Sequence, residues 1–398
     1  MRRFVALFVI VTATGLAIVA QNRVAAPKPA ATGAAGSTVP TKATVESFLY
    51  HAFGWNSQMK IALAGIAPSP APGVAEVTVD VAAPQGSGQQ KLFVTADGKQ
   101  AIVGAMYSFD GQPGVKPSDN AINAFLRQMT SGKSDVTWSI AQVTPRAVSD
   151  LTEVIVVLTT PQGRGSQHFW VTADGKHALA GEIGPFAADP YASTRAELAR
   201  GMNGAAKGPA DAPITIFEFG DLQCPSCKSA QPTIERLMGD EPNVRFVFQQ
   251  FPLVTIHAWA LTASKYADCV ARESNPAFWK FADLVYGQQE QITQEVVGSK
   301  APADVTAADL QKAEQKLTAL ATQAGVDGQQ TAKCAAATDT YVRVNHSMEL
   351  GKSLGVTGTP TLFIAGRKIS NLGGMPYEAV KSIVDFQAKT AQVKTARK

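Results

Sequence analysis

A chain of 398 residues is too long for one ordinary hydrophobic core and implies two or three separately packed units. Its hydrophobic content of 45% excludes disorder over the whole length, while 17% charged residues is low for a soluble protein. A formal charge of +4, from 36 basic and 32 acidic side chains, is far from the basic excess that nucleic-acid binding requires.

Met1-Arg2-Arg3 followed by the uncharged run from Phe4 to Ala20 has the positive start and apolar stretch of an export signal. Residues 1–22 are therefore expected to be a signal peptide or an anchor. Cleavage after Ala20 or Ala26 is chemically reasonable, and residues 4–20 lie near the lower length limit for spanning a bilayer. The Ala-, Pro-, Gly- and Thr-rich stretch within 23–41 reads as a linker. The protein is accordingly expected in the periplasm or another extracytoplasmic compartment, released or held through residues 4–20.

Next comes an internal repeat. Shifting the sequence by 77 residues aligns Phe48-Leu49 with Phe125-Leu126, Glu76-Val77 with Glu153-Val154, and Pro84-Gln85-Gly86 with Pro161-Gln162-Gly163. The register holds through Val94-Thr95-Ala96-Asp97-Gly98-Lys99 and Val171-Thr172-Ala173-Asp174-Gly175-Lys176, and ends with Phe109 against Phe186. This is a gapless tandem duplication. Each copy, over 42–115 and 116–192, reads as a helix (around Thr44–Phe53 or Asn120–Met129) followed by alternating strands such as Val74–Val81 and Val154–Leu158. Two small α+β units are predicted, each a helix on a curled antiparallel sheet. Asp97 and Asp174 sit in Asp-Gly turns, where a side chain bonding its own backbone explains them without catalysis. With neither cysteine nor a clustered acid–base set, the repeats are assigned to substrate docking, spacing or homodimerisation.

From Asp211 the pattern changes. Ile214-Thr215-Ile216-Phe217-Glu218-Phe219 suits a buried strand, and Gly220-Asp221-Leu222-Gln223 turns it into a helix that opens at Cys224-Pro225-Ser226-Cys227 and runs toward Leu237. Pro225 falls near the first helical position, where a missing N–H does no harm. The Cys224 sulfur thus meets unpaired N–H groups and the positive end of the helix dipole, which favour the thiolate used in disulfide exchange. Cys224 is expected as the exposed nucleophile, with Cys227 behind it as the buried resolving thiol. The other two cysteines, Cys269 and Cys334, leave three pairings open in principle; the spacing of Cys224 and Cys227 makes their local pairing the leading one.

Gly208-Pro209-Ala210-Asp211-Ala212-Pro213, Phe217-Glu218-Phe219-Gly220-Asp221 and the Cys-Pro-Ser-Cys centre together resemble the DsbA-like branch of the thioredoxin superfamily, over about Ala205 to Ala388. The resemblance implies an α/β thioredoxin fold with a helical insertion across 193–398. It gives Glu218 the part of a buried acid that exchanges a proton with the inner cysteine. Gly358-Thr359-Pro360 resembles the cis-proline loop that faces the redox centre, with Thr359 and Pro360 receiving extended substrate. Cys269 and Cys334 flank the insertion; a structural disulfide between them is expected, against the rival of two free buried thiols. His257, near Trp259 and Leu261, reads as a packed helix residue and is left off the catalytic set. No cofactor is implied, and one Cys-x-x-Cys without a second ligand pair does not make a zinc site.

The expected activity is thiol–disulfide exchange with protein thiols, most readily as an oxidase recycled by a membrane redox partner. Two other readings stay open: a disulfide isomerase or reductase, and a non-enzymatic envelope-binding protein with a passive thioredoxin scaffold.

Overall fold

The computed structural model describes residues 39–396 apart from 85, 132–133, 161–162 and 371. The export segment 1–22, residues 4–20 within it and most of the linker lie outside the described residues. Among the described residues no helix is long and apolar enough to cross a membrane. The chain divides into two compact units between Pro190 and Tyr191.

The first unit carries the duplication as α1 (Lys42–Phe53), β1 (Lys60–Pro68), β2 (Val74–Ala83), β3 (Gly86–Thr95) and β4 (Gln100–Ser108), then α2 (Asp119–Met129), β5 (Thr137–Val148), β6 (Leu151–Thr160), β7 (Gly163–Val171) and β8 (His177–Pro185). The two meanders do not form two sheets. They join edge to edge into one eight-stranded antiparallel sheet, ordered β1-β2-β3-β4-β8-β7-β6-β5. At the junction Gly104 pairs with Gly181, its own counterpart in the duplication, so a local two-fold axis runs between them. A side chain there is excluded: a Cβ on Gly104 would stand 2.1 Å from the Ala180 carbonyl oxygen, and one on Gly181 2.3 Å from that of Val103.

The symmetry extends into the core. On one face Val45, Phe48 and Leu49 of α1 pack on Val77, Val79, Leu92 and Val94, and Ile122, Phe125 and Leu126 of α2 do the same on Val154, Val156, Phe169 and Val171. Each cluster is closed by the other copy's terminal aromatic: Phe186 meets Phe48 at 5.1 Å, and Phe109 meets Phe125 at 5.7 Å. On the opposite face Val74, Phe93 and Ile102 gather with their equivalents Leu151, Trp170 and Leu179 into one shared cluster. Strand alternation sends Phe93 and Trp170 to that face while their neighbours serve the helices. In the turns, Asp97 accepts from Lys99 N–H at 3.1 Å and Asp174 from Lys176 N–H at 2.9 Å, so each carboxylate caps its own loop.

The second unit contains α3 (Ala192–Gly201), β9 (Ala205–Lys207), β10 (Ile214–Gly220), α4 (Pro225–Asp240), β11 (Val244–Gln250), α5 (Ala260–Glu273), α6 (Asn275–Val296), α7 (Ala307–Ala324), α8 (Gly328–Ala336), α9 (Thr338–Ser353), β12 (Thr361–Ile364), β13 (Arg367–Ile369) and α10 (Tyr377–Ala396). Its sheet runs β13-β12-β10-β11-β9, with β10 central, parallel to β11 and antiparallel to β12. This is the thioredoxin fold, with helices α5–α8 inserted between β11 and β12. Phe217, Phe219 and Val247 pack with Leu198 and Leu350 in one buried cluster, whereas Phe248 joins Trp259, Phe278 and both cysteines 224 and 227 in another. Cys269 of α5 and Cys334 of α8 are bridged, their Cα atoms 6.0 Å apart, which ties the insertion together.

Replacing Gly104 by Val should cost about 3 kcal/mol through forced separation of the two central strands. Gly184→Ala, where no atom lies within 4 Å of the added carbon, should stay within about 0.5 kcal/mol. Denaturant unfolding followed by tryptophan fluorescence checks both.

Candidate active site

Helix α4 begins with Cys224 as its N-cap and Pro225 in its first turn, and the Cys224 backbone is extended (φ −76°, ψ 121°). The thiol thus occupies the place where Ser or Asp ordinarily accepts from free helix N–H groups. The Cys224 carbonyl closes the first turn by accepting from Cys227 and Lys228 N–H. Both thiols, Cys224 and Cys227, are unbridged in this structure. The Cys224 thiol is pulled down to about 5, first by its hydrogen bond with the Cys227 thiol, with the Thr359 side chain and the Cys227 and Ser226 amides adding to this against burial. Burial, together with the neighbouring Cys224 and Glu218 charges, pushes the Cys227 thiol well up. One sulfur is therefore a thiolate at neutral pH and the other keeps its proton.

The exposed nucleophile expected from the sequence is corrected here, because Cys224 retains only 5% of its surface. The cause is the loop ahead of β12: the Thr359–Pro360 peptide is cis, and the Thr359 carbonyl lies 3.4 Å from the Cys224 sulfur, which covers it. Thr359 and Pro360 are thus both brought against the redox pair.

Glu218 stands in the middle of β10, opposite Phe248 in the parallel pairing and Leu362 in the antiparallel one. It is fully buried, and neither carboxyl oxygen has a hydrogen-bond partner among the described residues. Burial moves it from 4.5 to about 8, with Gln231 and Lys207 offsetting part of the shift. Lys207, on edge strand β9, lies 4.5 Å above the Trp279 ring, and burial lowers its own affinity for a proton. The Tyr286 hydroxyl of α6 is buried in the same field, near Cys227 and Glu218. Gln289, one turn further on, donates to the carbonyls of Leu222 at 3.0 Å and Cys224 at 3.1 Å, fixing the approach to α4.

Two residues outside the sequence-derived set complete the site. Asp221 is wholly buried beyond the end of β10, and its Oδ2 accepts from His257 Nδ1 at 2.7 Å. His257, read from sequence as a packed helix residue, lies in the loop before α5 instead, anchored by its N–H to the Leu253 carbonyl at 2.9 Å. The Pro-Leu turn ahead of it delays the helix until Ala260. Among the described residues no group of His, Cys, Asp and Glu is arranged to hold a metal ion.

A buried cysteine pair at a helix start, an acid beneath it and a cis-proline above it, on this sheet, define a thioredoxin-fold thiol centre. Residues 202–385 match the protein family described as thioredoxin. Disulfide bond formation protein D of Bacillus subtilis (strain 168) is 26% identical over 187 residues, 46% of this chain and 76% of that protein. The Na(+)/H(+) antiporter NhaA 1 of Salinispora arenicola is 29% identical over 179 residues, 45% of this chain; the match spans only 24% of the antiporter's length. Among solved structures, oxidised BdbD from Bacillus subtilis aligns over 47% of this chain and 94% of that chain, at 22% identity and a TM-score of 0.39. Residues 202–385 are thus similar to the thioredoxin family and to disulfide bond formation proteins.

In the reduced protein, thiolate absorbance should titrate with one sulfur near pH 5 while the second stays protonated; a single midpoint near 9 would contradict the geometry. In the oxidised protein neither of these thiols titrates, and Glu218 binds its proton more tightly folded than unfolded. The stability it contributes is full below pH 4.5 and is lost as pH rises toward about 8. Unfolding measured across that window should show the decline, and Glu218→Gln should flatten it relative to the parent.

Proposed function

We propose that the chain is an extracytoplasmic protein disulfide oxidoreductase that introduces disulfides through Cys224 and Cys227. The observation that carries this is the geometry of the cysteine pair: Cys224 caps the start of α4 beneath the cis-proline loop while Cys227 is fully buried one turn behind it, an asymmetry that favours a thiolate at the first sulfur and a thiol at the second. Stabilising the Cys224 thiolate favours the reduced centre over the disulfide, and a centre whose reduced form is stabilised is an oxidant. The named disulfide bond formation relatives accord with this reading.

In the reaction a substrate thiolate attacks the Cys224 sulfur of the Cys224–Cys227 disulfide. The S–S bond breaks and Cys227 leaves as a thiolate, taking a proton for which the protonated Glu218 is the nearby buried source. A second substrate thiolate then attacks the substrate sulfur of the mixed disulfide and Cys224 departs as a stable thiolate. The substrate has lost two electrons and the centre has gained them, so a membrane redox partner must reoxidise it. Thr359 and Pro360 present the loop edge against which an extended substrate lies. Residues 1–22 supply export, and the repeats dock substrate or a second copy of the chain.

Refolding of a reduced, multi-cysteine protein in air-free buffer tests the proposal. The oxidised full chain should regenerate activity stoichiometrically. Cys224→Ser and Cys227→Ser, which hold no disulfide to donate, should both fail. Given a disulfide-containing substrate, Cys227→Ser should accumulate a mixed disulfide as its Cys224 thiolate displaces a substrate thiolate. Activity retained by Cys224→Ser would exclude the mechanism. If rescue occurs only from a scrambled substrate and needs the reduced chain, the protein works as an isomerase.

A further inference from the structure

Asp221 contacts both cysteines of the redox centre and the His257 ring. Its side chain is wholly buried: Oδ1 accepts from Gln223 N–H at 2.7 Å, and Oδ2 accepts from Leu253 N–H at 2.9 Å and from His257 Nδ1 at 2.7 Å. Its main chain holds both cysteines, donating to the Cys227 sulfur at 3.4 Å and accepting from Cys224 N–H at 3.0 Å. The imidazole it grips is only 15% exposed, so water screens its charge weakly. Two charged groups act on the ring, Asp221 from the loop after β10 and Cys224 from the start of α4; both also act on Tyr286 of α6, together with Glu218 and Cys227.

We propose that His257, held by Asp221, is a positioning residue whose imidazolium charge stabilises the Cys224 thiolate and thereby sets how oxidising the Cys224–Cys227 pair is. The proposal rests on the redox reading above and assigns it a tuning group. The Asp221 carboxylate orients the ring by accepting a hydrogen bond from Nδ1–H and favours the doubly protonated form. That hydrogen bond is the first cause pushing the His257 imidazole up, with the Cys224 charge acting in the same direction and burial opposing. The influence is mutual: a group that the thiolate helps to protonate must help to deprotonate the thiol by the same free energy. Ser226 contributes no charge to the Cys-x-x-Cys dipeptide itself, and the imidazole that could do so arrives from the loop before α5.

The test uses the full chain and the variant His257→Gln, whose side-chain amide can still donate to Asp221 but carries no charge. A structural role would survive this change; an electrostatic one would not. The Cys224 thiolate midpoint of the reduced variant should rise by about one unit. Its equilibrium with glutathione should move about tenfold toward the protein disulfide, which is about 30 mV more reducing. An unchanged midpoint and potential overturn the proposal. Should the variant fail to fold, the parent decides: by reciprocity the His257 ring, followed by NMR, should titrate lower in the oxidised protein than in the reduced one, and equal midpoints overturn the idea. A Cys224–Cys227 pair in the parent that glutathione cannot reduce would sink the redox reading itself, visible before any variant is made.

Discussion

The C-terminal unit is organised around one constraint, the unpaired N–H groups at the start of α4. A helix leaves its first donors without partners, and here a thiol rather than a carboxylate or hydroxyl sits among them. That placement creates a charge in a nearly closed volume, and the surroundings are built to hold it. The Thr359 carbonyl and cis-Pro360 roof it, Gln289 pins the two carbonyls leading into it, and Glu218 lies beneath in an apolar slot. The helical insertion supplies Trp259, Phe278 and Tyr286, which exclude water and so lengthen the reach of every charge.

Much of this was legible in the sequence because it is local. The strand before the cysteines, the helix start at Pro225 and the Asp-Gly turns of the repeats depend on residues a few positions apart, and each lies where pattern and turn chemistry put it. The gapless duplication was equally plain. What the sequence could not carry was the meeting of distant segments. The family resemblance set Thr359 and Pro360, 135 residues on, facing Cys224, but not that the Thr359 carbonyl would close over the sulfur and leave it buried. Asp221 read as a turn residue and His257 as part of a helix, since their 2.7 Å contact joins β10 to the loop after β11. The fusion of the two meanders was hidden for the same reason: Gly104 and Gly181 look like weak points in their strands until they face each other.

The division of labour between the units follows from their chemistry. In the C-terminal unit polar groups are buried in number, and several, among them the Glu218 carboxylate and the Tyr286 hydroxyl, have no hydrogen-bond partner among the described residues. Such groups cost stability and are tolerated where function uses them. In the N-terminal unit the buried polar side chains are three threonines, Thr95, Thr130 and Thr172, among the described residues.

The exchange of Phe109 and Phe186 makes the N-terminal unit an intramolecular analogue of a homodimer. Each copy lends an aromatic, Phe109 or Phe186, to the other's core, and the strands of the two copies meet at Gly104 and Gly181, where no side chain fits. Half of such an object is not a smaller version of it, since an isolated copy keeps a vacant aromatic slot and an open strand edge at β4 or β8. Insertions tolerated elsewhere on a surface loop would here have to preserve two registers at once, the meander's own and that of its twin.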